Sequence, residues 1–309
     1  MPLSLPEEIL AHPIIDQPVV DSHHHIWRLK ETPWLQGPSV PRIFGDYEPL
    51  RRDYNIIDYM AEAVPCGVAK SVYVQVNVGP GKEVEEVQWV QSAADQHGFP
   101  HAITAFADLS APGVGEVIDR EMACGNVRAI RQQMHWHEKV QNRFAAAPDI
   151  IAGANWRRGL KEVGSRGLMF ELQVFPSQMV HAIQLVRDFP DITFILIHAG
   201  MLEDRSESGW AFWAEGMRKM ADCPNVIVKL TGFGTFERSC SEALWAPVVR
   251  QTVDLFGPSR CLFGSNFPVE KLWTTYAQLI AVMRGCLSVY SQAEQREIFH
   301  DVAVRAYKL

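Results

Sequence analysis

The feature that most constrains the fold is a regular alternation of short apolar runs with longer segments of helical periodicity. Eight runs rich in Val, Ile, Leu and Phe recur along the 309 residues. Nearly continuous apolar runs of this length are typical of parallel strands buried on both faces of a sheet. The predicted strands cover residues 19–27, 70–78, 102–109, 127–134, 168–175, 193–200, 226–233 and 261–268.

The segments between these runs complete the pattern. Those with clear helix signals cover residues 82–98, 176–189, 242–257 and 271–287. Eight strands that alternate with helices predict an α/β fold, a single (β/α)8 TIM barrel, and a doubly wound sheet is the alternative. No Pro-, Gly- or Ser-rich linker divides the chain. We therefore predict a barrel domain over residues 19–309, a short N-terminal extension over residues 1–18, and an extra C-terminal helix near residues 291–307 that decorates the barrel.

Composition narrows the class of partner. The formal net charge of -7 is spread without long runs of one sign, which argues against nucleic acid or an anionic membrane as a partner. A small-molecule substrate is the expected partner, and a homo-oligomer stays open. The N-terminal residues include acidic side chains, which a signal peptide does not have at its start, and the sequence contains no apolar run of about 18 residues that could span a membrane. The expected location is therefore cytoplasmic. Six scattered cysteines predict reduced thiols.

Polar residues at the strand ends indicate where a site would form, because the active site of such a barrel lies at the C-terminal ends of its strands. The first strand contains DSHHHIW, residues 21–27. Strand alternation places Asp21, His23 and His25 on one face, which we predict to be the inner one. His24 then faces the helical layer, as a hydrogen-bonded packing residue.

The same alternation groups further polar residues at the other strand ends. They are Gln75 with Asn77, Arg131 with Gln133 and His135, Glu171 with Gln173, His198, Lys229 with Thr231, and Asn266. Buried polar groups are costly unless they are paired, so their recurrence at matching positions favours a functional site. For Lys229, a structural ion pair with Glu171 is the alternative to a substrate contact.

Several motifs in the predicted order of strands resemble a known family. These are H-x-H-x-W (His23, His25, Trp27), PWL at residues 33–35, IHAG, VKLTG and FGSNFP. Together they resemble the amidohydrolase superfamily, and in particular the amidohydrolase-related (amidohydrolase 2) branch of sugar-lactone and 2-pyrone-4,6-dicarboxylate lactonases. The resemblance runs from about residue 19 to the C-terminus. It implies a (β/α)8 barrel and hydrolysis of a cyclic ester.

The resemblance also bears on cofactors. Metal-binding members of the superfamily use H-x-H, a histidine or modified lysine from the middle strands, and an aspartate after the eighth strand. This chain has Glu171 and Gln173 on the fifth strand and Asn266 in place of that aspartate. The pyrone-type lactonases work without a metal, so the resemblance implies a metal-independent site and no cofactor. A Zn or Mn ion held by His23 and His25, with His198 or Glu171, is the alternative.

Hydrolysis needs a base, and Asn266 cannot supply one because a carboxamide is not basic near neutral pH. His198 is the first candidate for the base, His25 the second and Glu171 the third. We expect His23, His25 and Arg131 to polarise the carbonyl.

The predicted substrate is a carboxylated or hydroxylated lactone. The residues predicted to contact it are Arg131, Gln75, Gln173, His135, Lys229 and Trp34. The alternatives are a lactone isomerase that uses Asn266 and His198, a metal-dependent amidohydrolase or decarboxylase, and a non-enzymatic binding barrel.

Overall fold

A computed structural model describes residues 17–309, and its centre is one eight-stranded parallel sheet whose strands pair in sequence order. The (β/α)8 barrel is therefore confirmed. The strands are β1 (Val19–His24), β2 (Val68–Val74), β3 (Ala102–Ala105), β4 (Val127–Arg131), β5 (Met169–Leu172), β6 (Phe194–Leu196), β7 (Val226–Leu230) and β8 (Cys261–Phe263). Each overlaps its predicted range but ends earlier, because the polar residues at its end leave the sheet. Of the predicted N-terminal extension, residues 1–16 lie outside the described residues.

Helices surround the sheet. They are α1 (Ile56–Ala63), α2 (Glu83–His97), α3 (Val114–Met122), α4 (Ala154–Ser165), α5 (Met179–Asp188), α6 (Glu207–Ala221), α7 (Gly234–Glu237), α8 (Glu242–Phe256), α9 (Tyr276–Leu287), α10 (Gln292–Arg296) and α11 (Val302–Tyr307). The four helices predicted between strands are present, as α2, α5, α8 and α9, and the predicted C-terminal helix is present as α10 and α11 with the helical turn Glu297–Asp301 between them. None of the helices in the described range is long and apolar enough to cross a membrane. All six cysteines are free thiols, as predicted.

The barrel closes where β1 meets the segment that follows β8, and we call this junction the seam. A parallel bridge joins His24 to Phe267. The backbone N–H of Asn266 donates to the His23 carbonyl at 2.7 Å, and the N–H of His25 donates to the Phe267 carbonyl at 2.7 Å. The seam therefore fixes the H-x-H residues beside Asn266.

The C-terminal helices do more than decorate the barrel, which corrects the interpretation from sequence. Val302, Ala303 and Tyr307 belong to the same buried cluster as Val20 and Ile195, which line the barrel interior. The Tyr307 hydroxyl donates to Glu171 Oε1 at 2.6 Å. The chain end thus closes the barrel at the end opposite the strand ends that carry the polar residues.

A buried carboxyl group in α3 makes folding stability depend on pH. Glu121 is fully buried, neither of its oxygens has a hydrogen-bond partner, and burial followed by repulsion from Glu86 raises its pKa to about 9. The folded chain therefore keeps a proton that the unfolded chain releases above about pH 4.5, so the free energy of unfolding falls as pH rises from there to about 9.

We expect Glu121→Gln to stabilise the protein more at about pH 8 than at about pH 5, because the amide carries no charge to bury. Urea unfolding of both proteins at the two pH values measures this difference. A gain in stability that is the same at both would contradict it.

Candidate active site

The strand ends surround one cavity of about 380 Å³. Eight of the ten predicted site residues line it: His25, Trp34, Gln75, Arg131, His135, Gln173, His198 and Asn266. The other two, His23 and Lys229, are fully buried and are not part of the lining. Eight of the predicted residues therefore surround one pocket, and the other two lie beneath its wall.

Strand β1 does not alternate regularly, and this corrects the predicted position of Asp21. Its pairing with β2 shifts register between Asp21 and His24. Asp21 points outward, where its carboxylate accepts hydrogen bonds from the Tyr59, Tyr276 and Ser265 hydroxyls. It therefore does not share the inner face with His23 and His25. Because its acceptors are filled from the helical side, Asp21 anchors the seam from outside.

His24 packs outside the barrel, as predicted. Its ring stacks on Tyr59 with the ring centroids 3.8 Å apart. The backbone of His25 is a hydrogen-bonding neighbour of the ring, in keeping with the predicted packing role. Burial lowers the pKa of His24 well below its usual range, so the ring is neutral.

His25 has a fixed tautomer. Its Nδ1 lies 2.7 Å from the Val74 carbonyl, which can only accept, so Nδ1 carries the hydrogen. Burial, with the charge on Arg131, lowers the pKa of His25 to about 3, so the ring is neutral and Nε2 bears a lone pair. That atom lies 3.4 Å from Asn266 Oδ1. Two acceptors therefore face each other at the pocket wall.

His198 lies on the pocket wall in a left-handed backbone conformation, with φ 55°. Its Nδ1 is buried without a partner against Gly232, where a Cβ would come within 2.3 Å of that atom. Glycine is required there for this close approach and for its own φ of 69°. Burial and the charge on Arg131 lower the pKa of His198 well below its usual range. His198 is therefore a neutral ring held by a strained backbone.

His23 lies below these two rings. Its ring centroid is 5.0 Å from that of His25 and 5.1 Å from that of His198, and neither of its nitrogens has a hydrogen-bond partner. Burial and then the charge on Lys229 lower its pKa well below the usual range. His23 thus supports the two pocket histidines from beneath, and the structure gives it no face on the cavity.

Arg131 places a buried positive charge in the pocket wall. Its guanidinium is 3% exposed, donates to Gln173 Oε1 at 2.6 Å and to the Gln75 carbonyl at 3.3 Å, and leaves Nε without a partner. No ion pair to Arg131 forms within residues 17–309. Burial lowers its pKa to about 10, so it stays charged at neutral pH. Glu171 and Glu86 contribute negative charge nearby without forming a salt bridge with the guanidinium. A buried cation that has no salt-bridge partner makes this part of the pocket attractive to an anion.

Lys229 forms the ion pair that the sequence left open. Its Nζ lies 2.7 Å from Glu171 Oε1, and both side chains are fully buried. Burial lowers the pKa of Lys229 to about 8. Glu171 also accepts from Thr104 and Tyr307, so it is a structural acceptor one layer below Gln173, as predicted from strand alternation. The structure thus supports neither a substrate contact for Lys229 nor a base role for Glu171.

The outer part of the pocket is apolar and aromatic. Trp34, Phe44, Val140 and Phe144 line it, and Val140 and Phe144 are exposed although both are large hydrophobic residues. The Arg143 guanidinium, which also lines the pocket, lies 4.7 Å from the Trp136 ring centroid. Of these residues, the sequence singled out only Trp34 as a contact. Loops carry the others, and loops have no periodicity from which a facing direction can be read.

Sequence reasoning missed Glu270. It is fully buried in the short helical turn Val269–Leu272, its Oε1 accepts from Asn266 Nδ2 at 3.4 Å, and its Oε2 accepts from Trp273 Nε1 at 2.6 Å. Burial raises its pKa to about 7, although these hydrogen bonds stabilise the ionised form. The sequence feature that could have identified Glu270 is its position four residues after Asn266, in FGSNFPVE.

The residues of the pocket can be compared with a catalytic metal site. No group of three His, Cys, Asp or Glu side chains in the described part of the chain is arranged to hold a metal ion. Catalytic zinc normally has three protein ligands. His23, His25 and His198 bring three imidazoles together, with the His23 ring centroid 5.0 Å from that of His25 and 5.1 Å from that of His198. Glu171 is bound by Lys229 and Asn266 presents a neutral amide, so a metal ion here would have imidazole ligands and no free carboxylate.

Comparison with known proteins identifies the class. The Amidohydrolase (Amidohydro_2) family profile matches residues 20–309, and the chain belongs to this family. It is 35% identical over 296 residues to "Uncharacterized protein y4mH" of Sinorhizobium fredii, with 95% of this chain and 99% of the relative covered. It is 26% identical over 304 residues to an L-fucono-1,5-lactonase of Burkholderia multivorans, with 94% and 96% covered.

Among solved structures, an amidohydrolase from Burkholderia multivorans with bound zinc is similar in fold. The TM-score is 0.81 at 23% sequence identity, with 95% of this chain and 100% of that chain covered.

Proposed function

We propose that the protein is a hydrolase of cyclic esters, which opens a lactone ring with histidine and arginine side chains and without a resident metal ion. The observation that carries this proposal is the pair of acceptors His25 Nε2 and Asn266 Oδ1, 3.4 Å apart, in a pocket that also holds the unpaired Arg131 guanidinium. Similarity to a lactonase over nearly the whole chain supports the reaction class.

The acceptor pair positions the attacking water. A water molecule about 2.8 Å from both atoms donates one hydrogen to His25 Nε2 and the other to Asn266 Oδ1. Its lone pair then points into the cavity toward the substrate carbonyl. The sequence ranks His198 ahead of His25 as the base. We propose the reverse order, because the tautomer of His25 leaves its Nε2 as an acceptor beside Asn266. Asn266 orients the water and takes no proton.

Hydrolysis by this route needs a single general base, His25. The water oxygen bonds to the carbonyl carbon while one water proton moves to His25 Nε2, and the carbonyl electron pair becomes an oxyanion that Arg131 and His135 stabilise. The ring C–O bond then breaks, and the leaving oxygen takes the proton from His25. His198 is the hydrogen-bond donor to that oxygen. The product carboxylic acid releases its own proton to solvent.

The pocket also indicates the substrate class. Arg131 Nε, Gln75 Nε2 and His135 Nδ1 are buried polar atoms without partners in the structure, and an anionic or hydroxylated group would satisfy them. The outer wall of Trp34, Phe44 and Phe144 favours an apolar or flat portion of the same molecule. We therefore propose a lactone that carries a carboxylate or hydroxyl near the ring and an apolar substituent toward the mouth.

Turnover of a lactone panel in oxygen-18 water tests the reaction. The panel contains sugar lactones, pyrone carboxylates and lactones with aryl substituents. Hydrolysis is expected to place one solvent oxygen in the product carboxylate. A product without solvent oxygen would instead indicate lactone isomerisation, with Asn266 and His198 as its residues. Binding without turnover across the panel would indicate a barrel that binds ligands in its pocket and has no catalytic activity.

Metal removal tests the second part of the proposal. We expect purified protein to contain well below one equivalent of zinc or manganese, and dialysis against a chelator to leave kcat unchanged, because no group of three possible ligands among the described residues is arranged to hold a metal ion. Elemental analysis and kinetics before and after dialysis measure this. A stoichiometric metal whose removal abolishes activity, and whose return restores it, would establish the metal-dependent alternative.

A further inference from the structure

We propose that Glu270 is a positioning residue, which holds the Asn266 side chain so that its amide oxygen, and not its nitrogen, faces His25 and the pocket. The inference rests on the proposed hydrolysis and adds a residue to it. Glu270 does not line the cavity, so it acts through Asn266.

The carboxylate is tied to three hydrogen-bond donors on its two oxygens. Oε1 faces Asn266 Nδ2, and Oε2 accepts from the Trp273 indole at 2.6 Å. The Gly234 backbone N–H is the third donor. A Cβ at residue 234 would lie 2.4 Å from Oε2 and 1.9 Å from Trp273 Nε1, so only glycine allows the backbone to come this close. The position of Glu270 is therefore built by two separate segments of the chain.

Above its pKa of about 7 the Glu270 carboxylate is ionised and can only accept, and this decides which way the Asn266 amide points. Its NH₂ group must face Glu270, so Oδ1 must face His25 Nε2. If the amide were reversed, NH₂ would donate directly to His25 Nε2 and occupy the lone pair that receives the water proton. The pair of acceptors that binds the water therefore exists only while Glu270 holds the amide in one orientation.

Glu270 has no role in charge neutralisation that would explain its burial. It forms no ion pair with any residue in the range 17–309. The other titratable groups near it are the Cys240 thiol, whose pKa it raises, and His25 beyond Asn266. A purely structural role, as acceptor for Trp273 and Gly234, is the competing explanation, and a glutamine can fill that role equally well.

Glu270→Gln separates the two explanations. Gln Oε1 can accept from Trp273 and Gly234, and its NH₂ then donates to Asn266 and turns that amide around. We expect kcat to fall about 10- to 100-fold, as for other outer residues that orient a site, with KM within about twofold of wild type. The matched control is Glu121→Gln, a buried glutamate outside the site, which is expected to leave kcat and KM unchanged.

A double-mutant cycle with Asn266→Ala shows whether Glu270 acts through Asn266. Adding Glu270→Gln to Asn266→Ala is expected to lower kcat no further. An additive loss, a loss in KM alone, or wild-type kcat in Glu270→Gln would overturn the proposal while wild-type hydrolysis in oxygen-18 water still stands. If Glu270→Gln folds poorly, Glu270→Asp keeps the charge but withdraws it from Asn266, and it is expected to lower kcat in the same non-additive way.

Discussion

Replacing His25 with Asn is expected to lower kcat by about 10²- to 10⁴-fold, the usual contribution of a positioned general base. The variant loses the Nε2 lone pair that receives the proton of the attacking water. It can keep the contact with the Val74 carbonyl, because the Asn amide is also a donor. Initial rates of proton release from the lactone measure the loss, and thermal unfolding followed by circular dichroism shows that the fold is retained.

The neighbouring histidine provides the control for that experiment. His24→Phe keeps an aromatic ring against Tyr59 and removes a buried imidazole that does not face the pocket. We expect its kcat to match wild type and its Tm to change little, since the packing contact with Tyr59 is kept. Equal losses in both variants would indicate damage to β1 and would contradict the assignment of His25 as the base.

Arg131→Met is expected to lower kcat/KM by about 10²- to 10³-fold, the usual effect of removing a donor that stabilises an oxyanion. It should at the same time leave Tm unchanged or raise it. The guanidinium is 3% exposed and makes no ion pair, so its burial costs folding free energy that the apolar side chain does not. Steady-state kinetics and thermal unfolding of the same preparation measure the two effects.

Arg143→Met is the matched control, because Arg143 lines the same cavity but lies at its exposed mouth. Its guanidinium donates to the His137 and Glu138 carbonyls. We expect it to change KM by no more than a few-fold and to leave kcat intact. If Arg131→Met lowers Tm and leaves kcat/KM unchanged, Arg131 is structural and the proposed anion site is wrong.

Residues in regular strands were predictable because a strand has a fixed period. Arg131 and Gln173 lie on the pocket wall, and Glu171 one layer deeper than Gln173, as alternation requires. Alternation predicts which face of the sheet a side chain lies on, but it does not predict which partner a long side chain contacts. The sequence therefore allowed two positions for Lys229, and the 2.7 Å contact with Glu171 decides between them.

Other features depend on departures from regular structure that no periodic pattern predicts. The register shift in β1 turns Asp21 outward, toward Tyr59 and Tyr276. Glu270 lies in an irregular turn after Asn266, and its role depends on the backbone of Gly234. Contacts of this kind can be identified only from the three-dimensional structure, because they join residues in segments whose local geometries are unrelated.

The seam makes the chemistry depend on closure of the barrel. His25 and Asn266 are 241 positions apart, and hydrogen bonds between the first strand and the segment after the last strand bring them together. A nascent chain whose β8 is still inside the ribosome thus contains His25 but cannot yet bring Asn266 beside it. After dilution from denaturant, the recovery of turnover would report ring closure itself, whereas helix signals would recover earlier from local contacts.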